Sequence, residues 1–434
     1  MTSPPPSADL PSRRGDFRLL WAGQSLSLMG DQFAVVALPL VALEMVGTPA
    51  AQAALLPFAL SAPFLVLGLP AGAIVDRLPR RLTMLVCDAV QAVAFAIIAA
   101  LALLHALSFP VLMALVAISG CAVVFFQVAY TSYLPELLTR KEELHVGNSR
   151  LFFSESISRT IGPMAAGPVI AAFGAFVALW ANALTFMASL VTLLAIRPTT
   201  VRSVPKPRER GWLVRDIREG TTFVFLHSRV EPVISCGVVY VLFLGMIEAS
   251  LILYCKSVLG LSATGIGLVV GAVGIGFPLG NLLSARLTAR FGVARSLVVS
   301  ASVAVLGLVL TAAACSLGSL VGLVASGVIH GVGEGVFGPT SLTLRQLETP
   351  DVMLSRVNSV QRFFLWGAGS IGSLLAAGCI HLWGLPVALW AGGLGTVLCL
   401  PMLLRRGILQ AIRQPHVASL PVAQVESPQP DTGA

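Results

Sequence analysis

The sequence predicts an all-α membrane protein of twelve transmembrane helices, arranged as two six-helix bundles that repeat one another in parallel. Three observations predict it. Of 434 residues, 56% are hydrophobic and only 11% are charged, where a soluble globular chain carries about 25% charged residues. Apolar segments recur from residue 19 to residue 404, each near the roughly 20 residues that cross about 30 Å of hydrocarbon as a helix. The segments also divide six and six around the longest polar stretch, RPTTVRSVPKPRERGWLVRDIREGTTFVFLHSRVEP at 197–232.

Residues 1–17 form a polar, Pro-rich N-terminal segment. The first apolar run is full length, so no cleavable signal peptide is expected. The N-terminal bundle, 18–196, holds spans at about 18–45, 51–75, 82–104, 109–133, 147–172 and 176–196. Residues 197–230 read as a linker whose Pro-rich start cannot span. Its part from Gly211 to about Leu226 reads as an amphipathic surface helix. The C-terminal bundle, 231–404, holds spans at about 231–254, 263–285, 294–316, 319–342, 357–381 and 384–404, and a polar tail, 405–434, follows.

Charge sets the expected orientation. The N-terminus has Arg13, Arg14 and Arg18; the even-to-odd turns have Arg77, Arg80, Arg81, Arg140, Lys141, Arg286, Arg290, Arg295, Arg345 and Arg356; the tail has Arg405, Arg406 and Arg413. On the other side Lys256 stands alone among lysines and arginines. The positive-inside rule then makes both termini cytoplasmic, and explains a net charge of +8 without a nucleic-acid partner. The seven cysteines are scattered through apolar segments, with no CxxC or His-paired spacing, and read as small buried hydrophobes. There is no GxxxxGK[ST] loop, zinc-ligand spacing or nucleophile elbow. The chain is therefore not read as an enzyme, no cofactor or metal is expected, and ATP is not the expected energy source.

The halves repeat in sequence as well. Asn148-Ser149, eleven residues, then Ile161-Gly162 recurs 210 positions later as Asn358-Ser359, eleven residues, then Ile371-Gly372. Both copies cross the same kind of turn in the same direction, which is the parallel arrangement of rocking transporters.

The turn after the second span reads Gly72-Ala-Ile-Val-Asp76-Arg77-Leu-Pro79-Arg80-Arg81. It resembles the signature of the major facilitator superfamily, with Pro79 where a glycine is usual. Asp76 among three arginines is suited to charge-assisted bonds with helix ends, so Gly72, Asp76, Arg77, Arg80 and Arg81, with Asp88 nearby, read as a conformational latch; topology alone is the plainer reading. Gly162-Pro163-Met-Ala-Ala-Gly167-Pro168 is similar to the family's antiporter motif. Pro163 deletes a backbone hydrogen bond, while Gly162 and Gly167 admit a close neighbour. Asp16-Phe-Arg-Leu-Leu-Trp21, Gly30-Asp31 and Leu134-Pro135-Glu136 look like the branch of macrolide and siderophore exporters. The resemblance implies a monomer in the bacterial inner membrane, with a small-molecule substrate, protons and membrane lipid as partners.

Ionisable groups inside the spans need a purpose, because each costs roughly 2.5–3.5 kcal/mol on insertion scales. Asp31 lies near the middle of span 1, with Gln24 and Ser27 on its face. It reads as a proton-coupling group, an anchor for a cationic substrate, or a structural hydrogen bonder. Arg159 sits four residues after Glu155 and pairs with it, or else balances Asp31 or an anionic substrate. His330 and Glu334, in GVIHGVGEGVFG, are a second proton-coupling candidate. Glu248 reads as a lone acid for substrate contact. Gln127 and Tyr130, beside Phe125 and Phe126, read as substrate path or packing. Asp88 is expected to join the Arg77/Arg80/Arg81 cluster. The expected function is proton-coupled export of a small amphipathic or aromatic molecule by alternating access; a metabolite importer and a transport-inactive scaffold are the alternatives.

Overall fold

The computed structural model describes residues 13–75, 77–138, 140–197 and 212–413, and all regular structure among them is helical. The N-terminal half comprises α1 (Arg14–Leu40, continued by the wide turn Val41–Met45), α2 (Leu56–Val75), α3 (Arg80–Leu103), α4 (Phe109–Leu137), α5 (Lys141–Phe173) and α6 (Ala175–Ala195). A shorter helix, α7 (Trp212–Leu226), precedes the second half: α8 (Val230–Ser257), α9 (Ala263–Phe291), α10 (Val293–Ser316), α11 (Leu320–Glu348), α12 (Asp351–Trp383), α13 (Leu385–Thr396, extended by short turns to Leu403) and a final α14 (Arg406–Arg413). Eleven of these helices are long and apolar enough to cross a membrane. The twelfth position is held by α5. At 33 residues it is about 50 Å long, and Arg150, Glu155 and Arg159 dilute its apolar content.

Packing follows the repeat. In the first half neighbours run α5–α1–α6–α3–α4–α2, and in the second α12–α8–α13–α10–α11–α9, which is the same order. The ends of the two rows meet, α2 against α12 and α5 against α9, and close a ring around a central space. Two backbone details repeat at the same 210-residue offset. Gly174 and Gly384 turn the chain between the last two helices of each half at φ +89° and +86°, a region costly for residues with a Cβ. Gly162 lets α5 approach Gln32 and Met29 of α1, as Gly372 lets α12 approach Leu242 and Gly245 of α8.

The first and last described residues, Arg13 and Arg413, lie on one face of the ring, here the terminal face. There Arg13 donates from its backbone to Leu137 at 2.9 Å, and Arg405 pairs with Glu231. The closest approaches between halves lie toward the opposite, far face. A Cβ on Gly167 would stand 2.6 Å from the Ala263 carbonyl oxygen, and one on Gly274 would stand 2.7 Å from that of Arg159. The Thr160 hydroxyl donates to the Gly274 carbonyl at 2.5 Å. Across the other seam Phe64 stacks on Trp366 with centroids 4.5 Å apart, and Ser370 donates to Ser61 at 2.8 Å. At the far rim Lys256 pairs with Glu44, joining the two halves. Toward the terminal face Phe152 and Phe153 of α5 are 70% and 64% exposed.

α7 packs on the start of α12. Gly220 meets Arg356 and Val360, Arg356 pairs with Glu219, and Phe225 meets Phe364 edge-on at 5.6 Å. It is thus fastened to the C-terminal half.

Candidate functional site

Two groups of ionisable side chains lie inside the ring. The first spans the halves. On α5, Arg159 Nη2 donates to Glu155 Oε1 at 3.1 Å, as four-residue spacing on one helix face permits. Both side chains are about half exposed, and Arg159 also feels the charges of Glu248 on α8 and Glu334 on α11. Glu248 is exposed between buried Ile247 and Ala249, so it faces open space rather than the helix packing. It is not a lone acid, as the sequence suggested, because the charges of Glu334 and Arg159 act on it.

Behind Glu334, its Oε2 lies 3.7 Å from His330 Nε2. The imidazole is only 5% exposed, and Nε2 is 2.6 Å from the Tyr240 hydroxyl. His330 is backed by Gly307, where a Cβ would fall 2.6 Å from the His330 Cα. Glu334, His330 and Tyr240 thus stand in a row that enters the second half. On the opposite wall Tyr130 lies within reach of the Glu155 charge and stacks on Phe126 at 6.0 Å. Gln127, half-buried on the same helix, accepts the Thr131 hydroxyl on its carbonyl at 3.0 Å.

The second group lies within the first half. Gly23 and Gly30 bring α1 against α6 at Ser189, Thr192, Asn182 and Thr185. Gln24, Ser27 and Asp31 then fall on the adjoining face of α1. Asp31 is half-buried, and the charge acting on it is that of Asp88 on α3. Asp88 is 1% exposed and takes a hydrogen bond from Ser189, while its Oδ2 and the Gln24 Oε1 have no hydrogen-bond partner among the described residues.

This corrects one sequence expectation: Asp88 does not join the arginines, because α3 turns it inward toward Ser189. Of the alternatives for Arg159 the pair with Glu155 is the one formed, and its other acids are Glu334 and Glu248 rather than Asp31. The arginines of the turn are engaged elsewhere. Arg80 donates to the Ser132 carbonyl at 2.8 Å and to Glu136 at 2.6 Å. Arg81 caps α6 through the Leu193 and Leu194 carbonyls, each at 3.0 Å, where a cation meets the helix dipole. Arg77 is exposed and Gly72 half-buried; Asp76 lies outside the described residues. Gly162, Pro163 and Gly167 sit where α5 touches both α1 and α9, so the motif sets the seam between the halves.

Sequence reasoning missed Tyr240, which no spacing links to His330, 90 positions away. It also missed the Glu44–Lys256 pair. A signal existed there, since each is the one ion of its sign in the far-side turns.

A family model described as transmembrane secretion effector matches residues 7–428. The multidrug efflux pump Tap of Mycolicibacterium fortuitum is 26% identical over 424 residues, covering 94% of this chain and 99% of that one. Among solved structures, a point mutant of the nucleoside transporter NupG superimposes with a TM-score of 0.73 at 12% identity, over 90% of this chain and 99% of that one. A bacterial homologue of the iron transporter ferroportin, in an inward-facing state, gives 0.72 at 17% identity, over 91% and 99%.

Proposed function

The chain belongs to the transmembrane secretion effector family of the major facilitator superfamily, and on that premise we propose that this transporter is a proton-coupled exporter of small amphipathic or aromatic molecules. The observation that carries the reading is the pair of charge groups inside the ring: one open to both halves, one enclosed in a single half. A carrier that exchanges cargo for protons needs a place for each. Arg159, Glu155, Glu248 and Glu334 line the space where cargo would sit, with Tyr130 and Gln127 as its aromatic and polar wall. The four charged groups carry three acids and one cation, which favours neutral or cationic cargo. Asp31, reached from the central space, takes up and releases the proton. Similarity to an efflux pump over almost the whole chain supports the outward direction.

With the terminal face assigned to the cytoplasm by the arginine distribution, we read the contacts that join the halves toward the far face as closure on the outside. Substrate enters from within. Rocking about the α5–α9 and α2–α12 seams would part the Glu44–Lys256 and Ser61–Ser370 contacts and open the outside. A proton entering from there neutralises Asp31, and its release inside resets the carrier. Each elementary charge moved down the membrane potential supplies about 2.3 kcal/mol per 100 mV. We place the protein in the bacterial inner membrane as a monomer with both termini inside.

The test is uphill transport in everted membrane vesicles, with ethidium and a macrolide as probes and an acid interior. The wild-type protein accumulates probe until a protonophore is added. Asp31→Asn retains downhill exchange and loses accumulation. Undiminished accumulation with an unchanged pH response would remove Asp31 from the mechanism.

A further inference from the structure

Asp88 has no role in the account above, yet its setting is hard to explain as packing. The side chain is 1% exposed. One oxygen has the Ser189 hydroxyl and the other, Oδ2, has nothing among the described residues. An ionised carboxylate without a cation is strongly disfavoured in a low-dielectric interior, and such a group is neutralised instead. The nearby charge is another acid, Asp31. A second buried acceptor, Gln24 Oε1, is also without a donor. Two orphaned acceptors on helices that both pack on α6 call for an added hydrogen, since a protonated carboxyl turns one acceptor into a donor.

Position supplies direction. Ser189, which touches Asp88, lies against Gly23 of α1. Asp31 is eight residues further along α1, a rise of about 12 Å toward the far face. Between the two levels lie Gln24 and Ser27 on α1 and Gln91 on α3, the last also buried. Asp88 is eight residues from Arg80, the first residue of α3, and thus stands between Asp31 and the terminal face.

We infer that Asp88 is a second proton station, and that with Asp31 it forms a proton path through the N-terminal half, separate from the cargo space between the halves. The inference rests on the proton-coupled reading above and adds a route to it. The step is a transfer: the O–H bond of the Asp31 carboxyl breaks, a new one forms on Asp88, and total charge is unchanged. Water hydrogen-bonded to Gln24, Ser27 and Gln91 carries the proton between them. Asp88 then releases it toward the terminal face. Other ionisable groups on the elements packed around the pair include Cys87 on α3, Cys121, Tyr130, Tyr133 and Glu136 on α4, Arg150, Glu155 and Arg159 on α5, and Tyr240 and Glu248 on α8; α6 carries none. Glu136 is paired with Arg80, and Glu155, Arg159 and Glu248 belong to the cargo space.

The test is pH-difference infrared spectroscopy of the full-length protein in lipid nanodiscs, reading the C=O band of protonated carboxyls. The probe is the proton alone, so no substrate is needed. Wild-type protein should show, among its titrating carboxyls, one band from Asp31 and one from Asp88. Asp88→Asn should remove one and move the midpoint of the other by about one pH unit, as coupled sites require; Asp31→Asn should do the converse. Ser189→Ala, a smaller change that tolerates any folding defect of Asp88→Asn, should shift the frequency of the Asp88 band only. If the Asp31 band titrates and Asp88→Asn alters nothing, the path is overturned while the role of Asp31 stands. If neither carboxyl titrates, both readings fall. A band that responds to sodium at fixed pH would mark a cation site and overturn the path as well.

Discussion

The two charge groups inside the ring are built on opposite rules. Around Arg159 every acid has a cation in reach: Glu155 by a direct bond, Glu248 and Glu334 by proximity. The group straddles the halves and is open to the central space. The charge acting on Asp31 is that of Asp88, with the Ser189 hydroxyl beside Asp88, all within one half. Balanced charge in an open space can exchange partners with a visiting molecule. Unbalanced charge in a low-dielectric interior is relieved by taking up a proton. On the proposed reading cargo and proton have different addresses, and the rocking of one half against the other couples them.

The contrast can be broken from the open side first. Gly274 holds α9 against the backbone of Arg159 and Thr160. Gly274→Leu should force the seam apart and abolish ethidium efflux from cells, while the carboxyl titration in the first half persists in infrared spectra. Loss of both would mean that the groups are not independent. Arg159→Gln should come next. It removes a charge-assisted bond worth about 1.5–3 kcal/mol when fully formed. The half-exposed setting reduces this, so probe binding measured by fluorescence should weaken by roughly 3- to 10-fold. Downhill exchange and uphill accumulation should fall together, whereas Asp31→Asn spares exchange. The smallest effect belongs to the far rim. Lys256→Ala removes an exposed ion pair worth about 0.2–1 kcal/mol. Electron-spin distances across the far face should show the outward-open population rising about 1.5- to 5-fold; an unchanged distribution would deny the pair a part in closure.

Much of this was legible in the chain. Two halves, a parallel repeat and the approximate ends of the helices follow from hydropathy and from Asn148-Ser149 recurring at Asn358-Ser359. The one span that composition underrates, α5, is polar because it lines the central space. Asp31 and Arg159 were conspicuous for the same reason, as charges where hydrocarbon was expected. Their partners were not legible. Asp88 sits eight residues from Arg80, and nearness in sequence suggested a cluster with the arginines of the turn. The helix between turns it away, toward Ser189 on α6, while Arg80 and Arg81 find helix ends that lie 52 and more positions further on. Tyr240 gave no sign at all, since a hydroxyl in an apolar span acquires meaning only when His330 is brought to it.

What the sequence determined by itself is where charge enters the membrane and how often the chain crosses, because the cost of placing polar groups in hydrocarbon is paid residue by residue along one helix. What only the tertiary structure decided is which charge meets which. Glycines at 23, 30, 162, 167 and 274 set how closely helices approach, and that approach selects the pairs among groups far apart in the chain.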